Sequence, residues 1–89
     1  MFSKEIQVTV PVGLHARPAM YFSQKASQFH SNIWLEHNGR RLNGKSLLGI
    51  LSLGISQGDI ITIIAEGKDE ETAVTRLIAL VKSDFAEEN

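Results

Sequence analysis

The segment Pro11-Val12-Gly13-Leu14-His15-Ala16-Arg17-Pro18-Ala19-Met20 places a nucleophile, a guanidinium and a helix start within ten residues. Neutral imidazole attacks phosphorus near physiological pH and can also leave again, so a histidine is suited to holding a transferable phosphoryl group. The negative charge that arrives with the phosphoryl group then needs donors close by. Pro18 fits the first turn of a helix, where its missing N–H costs nothing. A helix N-terminus presents backbone N–H groups that have no partner within the helix. Ala16 and Arg17 offer the nearest of these, whereas Pro18 offers none. The Arg17 side chain adds charge-assisted donors two residues from the imidazole. Gly13 lets the loop turn back so that the ring lies over the helix end. The same residues are compatible with a second reading, in which His15 only caps the helix start and Arg17 is solvated. Residue chemistry alone leaves both open.

Other chemistries find less support. No carboxylate lies in this stretch, which disfavours a hydrolase built on paired acids or on a serine triad. His30 and His37 are seven residues apart without a cysteine or a carboxylate pair beside them. They read as surface histidines, and neither a metal nor any other cofactor is expected. Gly44-Lys45-Ser46 lacks the upstream glycine of a phosphate-binding P-loop. Ser46 precedes the apolar run Leu47-Leu48-Gly49-Ile50-Leu51-Ser52-Leu53-Gly54, and a helix N-cap accounts for it fully. Beside Lys45 it is also suited to a phosphorylation switch, because a seryl phosphate would charge the helix end and alter the adjoining apolar surface.

The elements that must position these residues follow from periodicity. Between Phe2 and Val10 the even positions are apolar except for Lys4, which predicts a half-buried strand broken by Pro11 and Gly13. Behind Pro18, the residues Ala19, Phe22, Ala26 and Phe29 form one helical stripe, with an end expected near His30-Ser31-Asn32. Ile33 to Asn43 reads as a hairpin around Asn38-Gly39, pairing Leu35 with Leu42 on the core face and Glu36 with Arg41 on the other, which Trp34 shares. Ser46 to Gly54 predicts a helix of about two turns, too short to bury all of its large aliphatics. Some of Leu47, Leu48 and Leu51 should therefore face outward as a small docking patch. Gln57-Gly58-Asp59 is a turn, Ile60 to Glu66 a central strand, and Asp69 to Phe85 a helix with Ala73, Val74, Leu77, Ile78, Val81 and Phe85 on one face. The order is β-α-β-β-α-β-α, an α+β arrangement in which three helices cover one face of a four-stranded sheet.

Composition narrows the classes further. The 89 residues suit one small domain. With no cysteine, a disulfide framework is excluded, and with no secretory leader the cytoplasm is the expected location. No apolar run approaches the length of a membrane span. Nine basic and ten acidic residues, a net charge of -1, argue against nucleic-acid binding, as does the lack of paired strand aromatics. A local basic patch around His15 would require the fold to gather Arg17, Lys45, Arg40 and Arg41. Acidic residues collect late, with Asp69, Glu70 and Glu71 suited to a helix start and Glu87 and Glu88 reading as a solvated tail.

The chain resembles the histidine-containing phosphocarrier (HPr) family of the bacterial phosphoenolpyruvate-dependent sugar phosphotransferase system. The resemblance runs from about Ile6 to Phe85. It rests on Gly13-Leu14-His15-Ala16-Arg17-Pro18-Ala19, on the run from Lys45 to Gly54, and on Ala65-Glu66-Gly67 followed by Asp69-Glu70. It implies a single domain over residues 1–89, an open-faced β-sandwich whose antiparallel sheet has the order 1-4-2-3. It also implies that His15 accepts a phosphoryl group at Nδ1 from enzyme I and passes it to a histidine of sugar-specific EIIA domains, with Arg17 steadying the group. In low-GC Gram-positive relatives Ser46 is phosphorylated by an HPr kinase/phosphorylase, and that form slows sugar uptake and serves a catabolite control protein as corepressor. Met20, Leu47, Leu48 and Leu51 carry over to the docking surface. A carrier of this kind acts only with partner enzymes, needs no cofactor, does not insert into membranes and is expected to be monomeric.

Met20 stands where the family often has a small residue and is similar to the nitrogen-branch relative NPr, whereas Lys45 to Gly54 is similar to HPr. An NPr-like carrier is therefore one alternative. A regulator acting through phospho-Ser46 without transfer is another, against which His15 argues.

Overall fold

The computed structural model describes residues 1–86, and the tail read at Glu87 and Glu88 lies outside them. The elements are β1 (Phe2–Gln7), α1 (Ala16–Ala26), β2 (Asn32–His37), β3 (Arg40–Asn43), α2 (Leu47–Ser52), β4 (Ile60–Glu66) and α3 (Glu70–Lys82). The four strands form one antiparallel sheet in the order β1-β4-β2-β3. β4 is rich in β-branched residues and occupies an interior position, as its composition predicts.

Cross-strand register sorts the two faces. Lys4, Ile63, Leu35 and Leu42 form one row across the sheet. Ile61, Ile63 and Leu35 are wholly buried, in one cluster with Phe22 of α1 and Val74 and Leu77 of α3. Lys4 belongs to the same face, but on an edge strand it reaches solvent, its ammonium 5.7 Å from the centre of the Phe2 ring. On the open face Trp34 stands opposite Ile64 and is half-buried. Asn38 and Gly39 both take positive φ, 51° and 79°, the turn geometry that matches strand twist in a two-residue hairpin. Glu36 and Arg41 pair as expected, but at 3.9 Å and with both side chains partly exposed this contributes little.

Several boundaries differ from the sequence reading. β1 ends at Gln7 because its partner β4 begins at the opposite residue, Ile60. α1 ends at Ala26, four residues before His30. The last turn tightens, with Gln28 and Phe29 donating to the carbonyls of Lys25 and Ala26 three residues back, and beyond it Asp69 accepts the His30 and Ser31 N–H groups, each at 2.9 Å, together with the Ser31 hydroxyl. α3 stops at Lys82, where Asp84 and Phe85 turn through φ of 54° and 66°. The Phe85 N–H then meets the Leu80 carbonyl at 2.9 Å, and its ring folds back into the core. His37 is also corrected. It shares the inward face of β2 with Ile33 and Leu35 and is buried, not a surface histidine, whereas His30 is exposed.

The Ser31 hydroxyl first, and then the His30 N–H, hold the Asp69 carboxyl down from its usual 3.8 to about 2. A depressed carboxylate pKa stabilises the fold above the unfolded-state value, and that contribution disappears as pH falls through the folded-state value. Asp69→Asn is therefore expected to be less stable than the parent at pH 7. The difference should shrink between pH 3.8 and about 2. Urea melts across that range provide the check, and a pH-independent difference would contradict the assignment.

Candidate functional site

The loop between β1 and α1 carries His15. Its backbone is held against the segment that follows α2: the Leu14 N–H donates to the Ile55 carbonyl at 3.0 Å, and the Leu14 side chain is fully buried. Gly13 makes this approach feasible. Its φ is +70°, and a Cβ there would sit 2.4 Å from the Ile55 carbonyl oxygen and 2.9 Å from Ser56 Cα. The chain then reverses at Ala16, whose φ of 51° lies in the left-handed region. His15, in extended backbone, becomes the N-cap of α1.

This helix start is left open. The His15 side chain makes no cap hydrogen bond, and the first turn holds no acidic residue. Among the described residues, neither the Ala16 nor the Arg17 N–H serves a turn or cap bond. His15 is half-buried and Ala16 and Arg17 are exposed. Arg17 has no ion-pair partner among the described residues. An anion on the imidazole would thus meet free N–H donors, the positive end of the helix dipole and an uncommitted guanidinium.

α2 is built in the opposite manner. Ser46 caps it, its hydroxyl accepting the Gly49 N–H at 3.0 Å. Ile50 and Leu53 point into the core, while Leu48 is 79% exposed and Leu47 and Leu51 are 38% and 36% exposed. The outward patch inferred from the sequence is present, and α1 packs beside it with Met20 half-buried. The two helices run antiparallel. The chain leaving α2 reaches Leu14 through Ile55, whereas Lys45, just before α2, donates from Nζ to the Phe29 carbonyl beyond the far end of α1. His15 and Ser46 therefore occupy opposite ends of the α1–α2 pair, with the leucines between.

The basic patch is not assembled as a group. Lys45 is at the far end of α1, Arg41 faces Glu36, and Arg40 donates to the Ser52 carbonyl at 3.0 Å. Arg17 alone of the four belongs to the helix start that carries His15. The left-handed turn at Ala16 and the anchoring by Ile55 were not read from the sequence. Gly13 was the one local sign of either. Among the described residues no cluster of three or more His, Cys, Asp or Glu side chains could hold a metal ion, and no helix is long and apolar enough to cross a membrane.

A four-stranded open-faced sandwich with an uncapped histidine at a helix mouth defines a recognisable class of small α+β proteins. The model of the PTS HPr component phosphorylation site matches residues 2–83, and the chain belongs to the HPr family. It is 43% identical over 84 residues to the HPr-like protein Crh of Halalkalibacterium halodurans, covering 94% of this chain and 100% of that protein. Against the phosphocarrier protein HPr of Buchnera aphidicola the identity is 46% over 77 residues, covering 86% and 91%. The crystal structure of HPr-C-His from Thermoanaerobacter tengcongensis superposes with a TM-score of 0.95 at 47% identity, covering all of both chains. Similar structures include an HPr dimer from that organism and Bacillus subtilis Crh as a domain-swapped dimer. The expectation of a monomer is therefore unsupported.

Two substitutions test the backbone of the loop with opposite signs. Gly13→Ala meets both a strained φ and the Ile55 carbonyl and should cost more than about 1 kcal/mol. Ala16→Gly relieves a left-handed alanine. It should escape the loss of about 0.5–1 kcal/mol that this change brings inside a helix. Denaturant melts of both variants decide the matter. A stable Gly13→Ala would refute the close approach.

Proposed function

We propose that this chain is a phosphocarrier that accepts a phosphoryl group on His15 from phosphorylated enzyme I and passes it to a histidine of a sugar-specific EIIA domain. The observation that carries this reading is the open helix start: a half-buried imidazole without a cap bond, beside an unpaired Arg17 and free N–H groups. In the transfer step, neutral His15 attacks phosphorus with the Nδ1 lone pair while Nε2 keeps its proton. A P–N bond forms to Nδ1 as the donor's P–N bond breaks. The donor ring, protonated on its other nitrogen, takes back the bonding pair and leaves as neutral imidazole. Reversal of the same chemistry delivers the group onward, and Arg17 with the N–H groups of Ala16 and Arg17 meets the charge throughout.

The leucine patch on α2, with Met20, is the surface on which these partners dock. Ser46 is a site for regulatory phosphorylation by an HPr kinase/phosphorylase, the product then serving a catabolite control protein. The whole of residues 1–89 acts as one cytoplasmic domain. The match to Bacillus subtilis Crh, the catabolite repression HPr, favours a second reading, which we place at Ser46 as a regulator. The presence of His15 and Arg17 together supports transfer over it.

Enzyme I, magnesium and phosphoenolpyruvate should place one acid-labile, base-stable phosphoryl group on the protein, and His15→Ala should abolish it. Labelling that survives His15→Ala would refute the site. Labelling by a serine kinase, lost in Ser46→Ala, with none from enzyme I would instead establish the regulator.

A further inference from the structure

The turn under the His15 loop is closed by one carboxylate. Asp59 Oδ2 accepts the Ser56 N–H at 2.9 Å, and the Asp59 N–H returns to the Ser56 carbonyl at 3.1 Å. The same Oδ2 lies 2.9 Å from Nε2 of His37, whose side chain is only 7% exposed at the end of β2. The Ser56 N–H first, and with it His37, holds the Asp59 carboxyl below its ordinary range against the opposing effect of burial. An ionised carboxylate only accepts, so His37 Nε2 is the donor.

On its other side this turn grips the loop. The Val8 N–H donates to the Asp59 carbonyl at 2.8 Å, the Gly58 N–H to Val8 at 2.7 Å, and the Gln57 amide to Thr9 at 3.1 Å. Ile55, one residue before the turn, takes the Leu14 N–H. Packing does not explain the imidazole, because an aliphatic side chain at this inward position would bury no polar group, as Ile33 and Leu35 do not. What His37 adds is a direction for Oδ2.

We infer that His37 is a positioning residue for phosphoryl transfer at His15, acting through Asp59 and the Ser56–Asp59 turn. This rests on the reading of His15 as phosphoacceptor. The loop's backbone sets where the imidazole stands, and a misplacement of about 1 Å at a reacting group costs up to roughly a hundredfold in rate.

The test compares the parent with His37→Leu, His37→Gln, Asp59→Ala and the double variant His37→Leu/Asp59→Ala. Rapid-quench transfer from phosphorylated enzyme I is measured together with the NMR resonances of the His15 ring and the Ala16 amide. His37→Leu should lower kcat about tenfold with KM for phosphorylated enzyme I unchanged, and should shift those resonances. His37→Gln, whose amide nitrogen reaches the place of Nε2, should restore both. Asp59→Ala should reproduce the loss, and the double variant should be no worse than either single one. A folded His37→Leu with parental kcat and resonances overturns the inference. So do losses that glutamine does not restore and that add in the double variant. Should His37→Leu not fold, Asp59→Ala at its half-exposed position decides on the same readouts. If the parent accepts no phosphoryl group, the carrier reading fails, and the resonances alone decide whether His37 sets the position of His15.

Discussion

The contact between the Leu14 N–H and the Ile55 carbonyl, at 3.0 Å, anchors the end of a loop that no secondary-structure element holds. It joins the loop after β1 to the segment after α2, and the lack of a Cβ at Gly13 is what allows the two backbones to come so close. Leu14 then drives its side chain wholly into the core. The residue after it has no freedom to choose its place. The His15 backbone is set by one neighbour anchored in the core and another, Ala16, turned into a left-handed conformation. The place of a histidine on a loop is thus set by the backbone on either side of it.

The energy of folding comes from elsewhere. Burying one large apolar side chain is worth about 1.5–3 kcal/mol, against roughly 0.5–1.5 kcal/mol net for a hydrogen bond such as that to Ile55. The cluster of Phe22, Ile61, Ile63, Leu77 and their neighbours therefore decides that the sheet and helices assemble, and the loop contacts decide only direction. The three helix starts show the same division. α2 is capped by the Ser46 hydroxyl, and α3 has Glu70 and Glu71 in its first turn. α1 has neither a cap bond nor an acid, and it begins on a left-handed alanine. One chain solves the same end problem twice and leaves it unsolved at the histidine. An uncapped end and a left-handed alanine at one place, with the rest conventional, are what motivates the functional hypothesis for this loop.

Most of the architecture was legible because it depends on local pattern. Asn38-Gly39 selects its own turn, which sets Leu35 against Leu42 and fixes the register of β2 and β3. The cluster from Gly13 to Pro18 announced a helix mouth with a histidine on it. What was not legible lies in contacts remote in sequence. Past the end of α1, the His30 and Ser31 amides are taken by Asp69, 39 residues away from His30. Lys45 is drawn to the Phe29 carbonyl and away from the histidine. The burial of His37 was readable in principle, since it falls two residues after Leu35 on the same face. A polar residue type masked the period. The partner that makes its burial tolerable, Asp59, lies 22 residues on.

The placement of the two candidate phosphorylation sites constrains how one could influence the other. His15 and Ser46 occupy opposite ends of an antiparallel helix pair, so a seryl phosphate is not in contact with the imidazole or with Arg17. Charges in solvent are screened over about 8 Å at physiological salt, which leaves little direct electrostatic effect. Nor would the backbone transmit much, since the Ser46 hydroxyl already serves the first turn of α2 and a charge there suits the helix end. What the two sites do share is the exposed face between them, above all Leu48. On the proposed docking mode, a partner seated on that face to reach His15 would also cover the approach to Ser46. Regulation through Ser46 would then act on which partner can dock, with the chemistry at His15 left as it is.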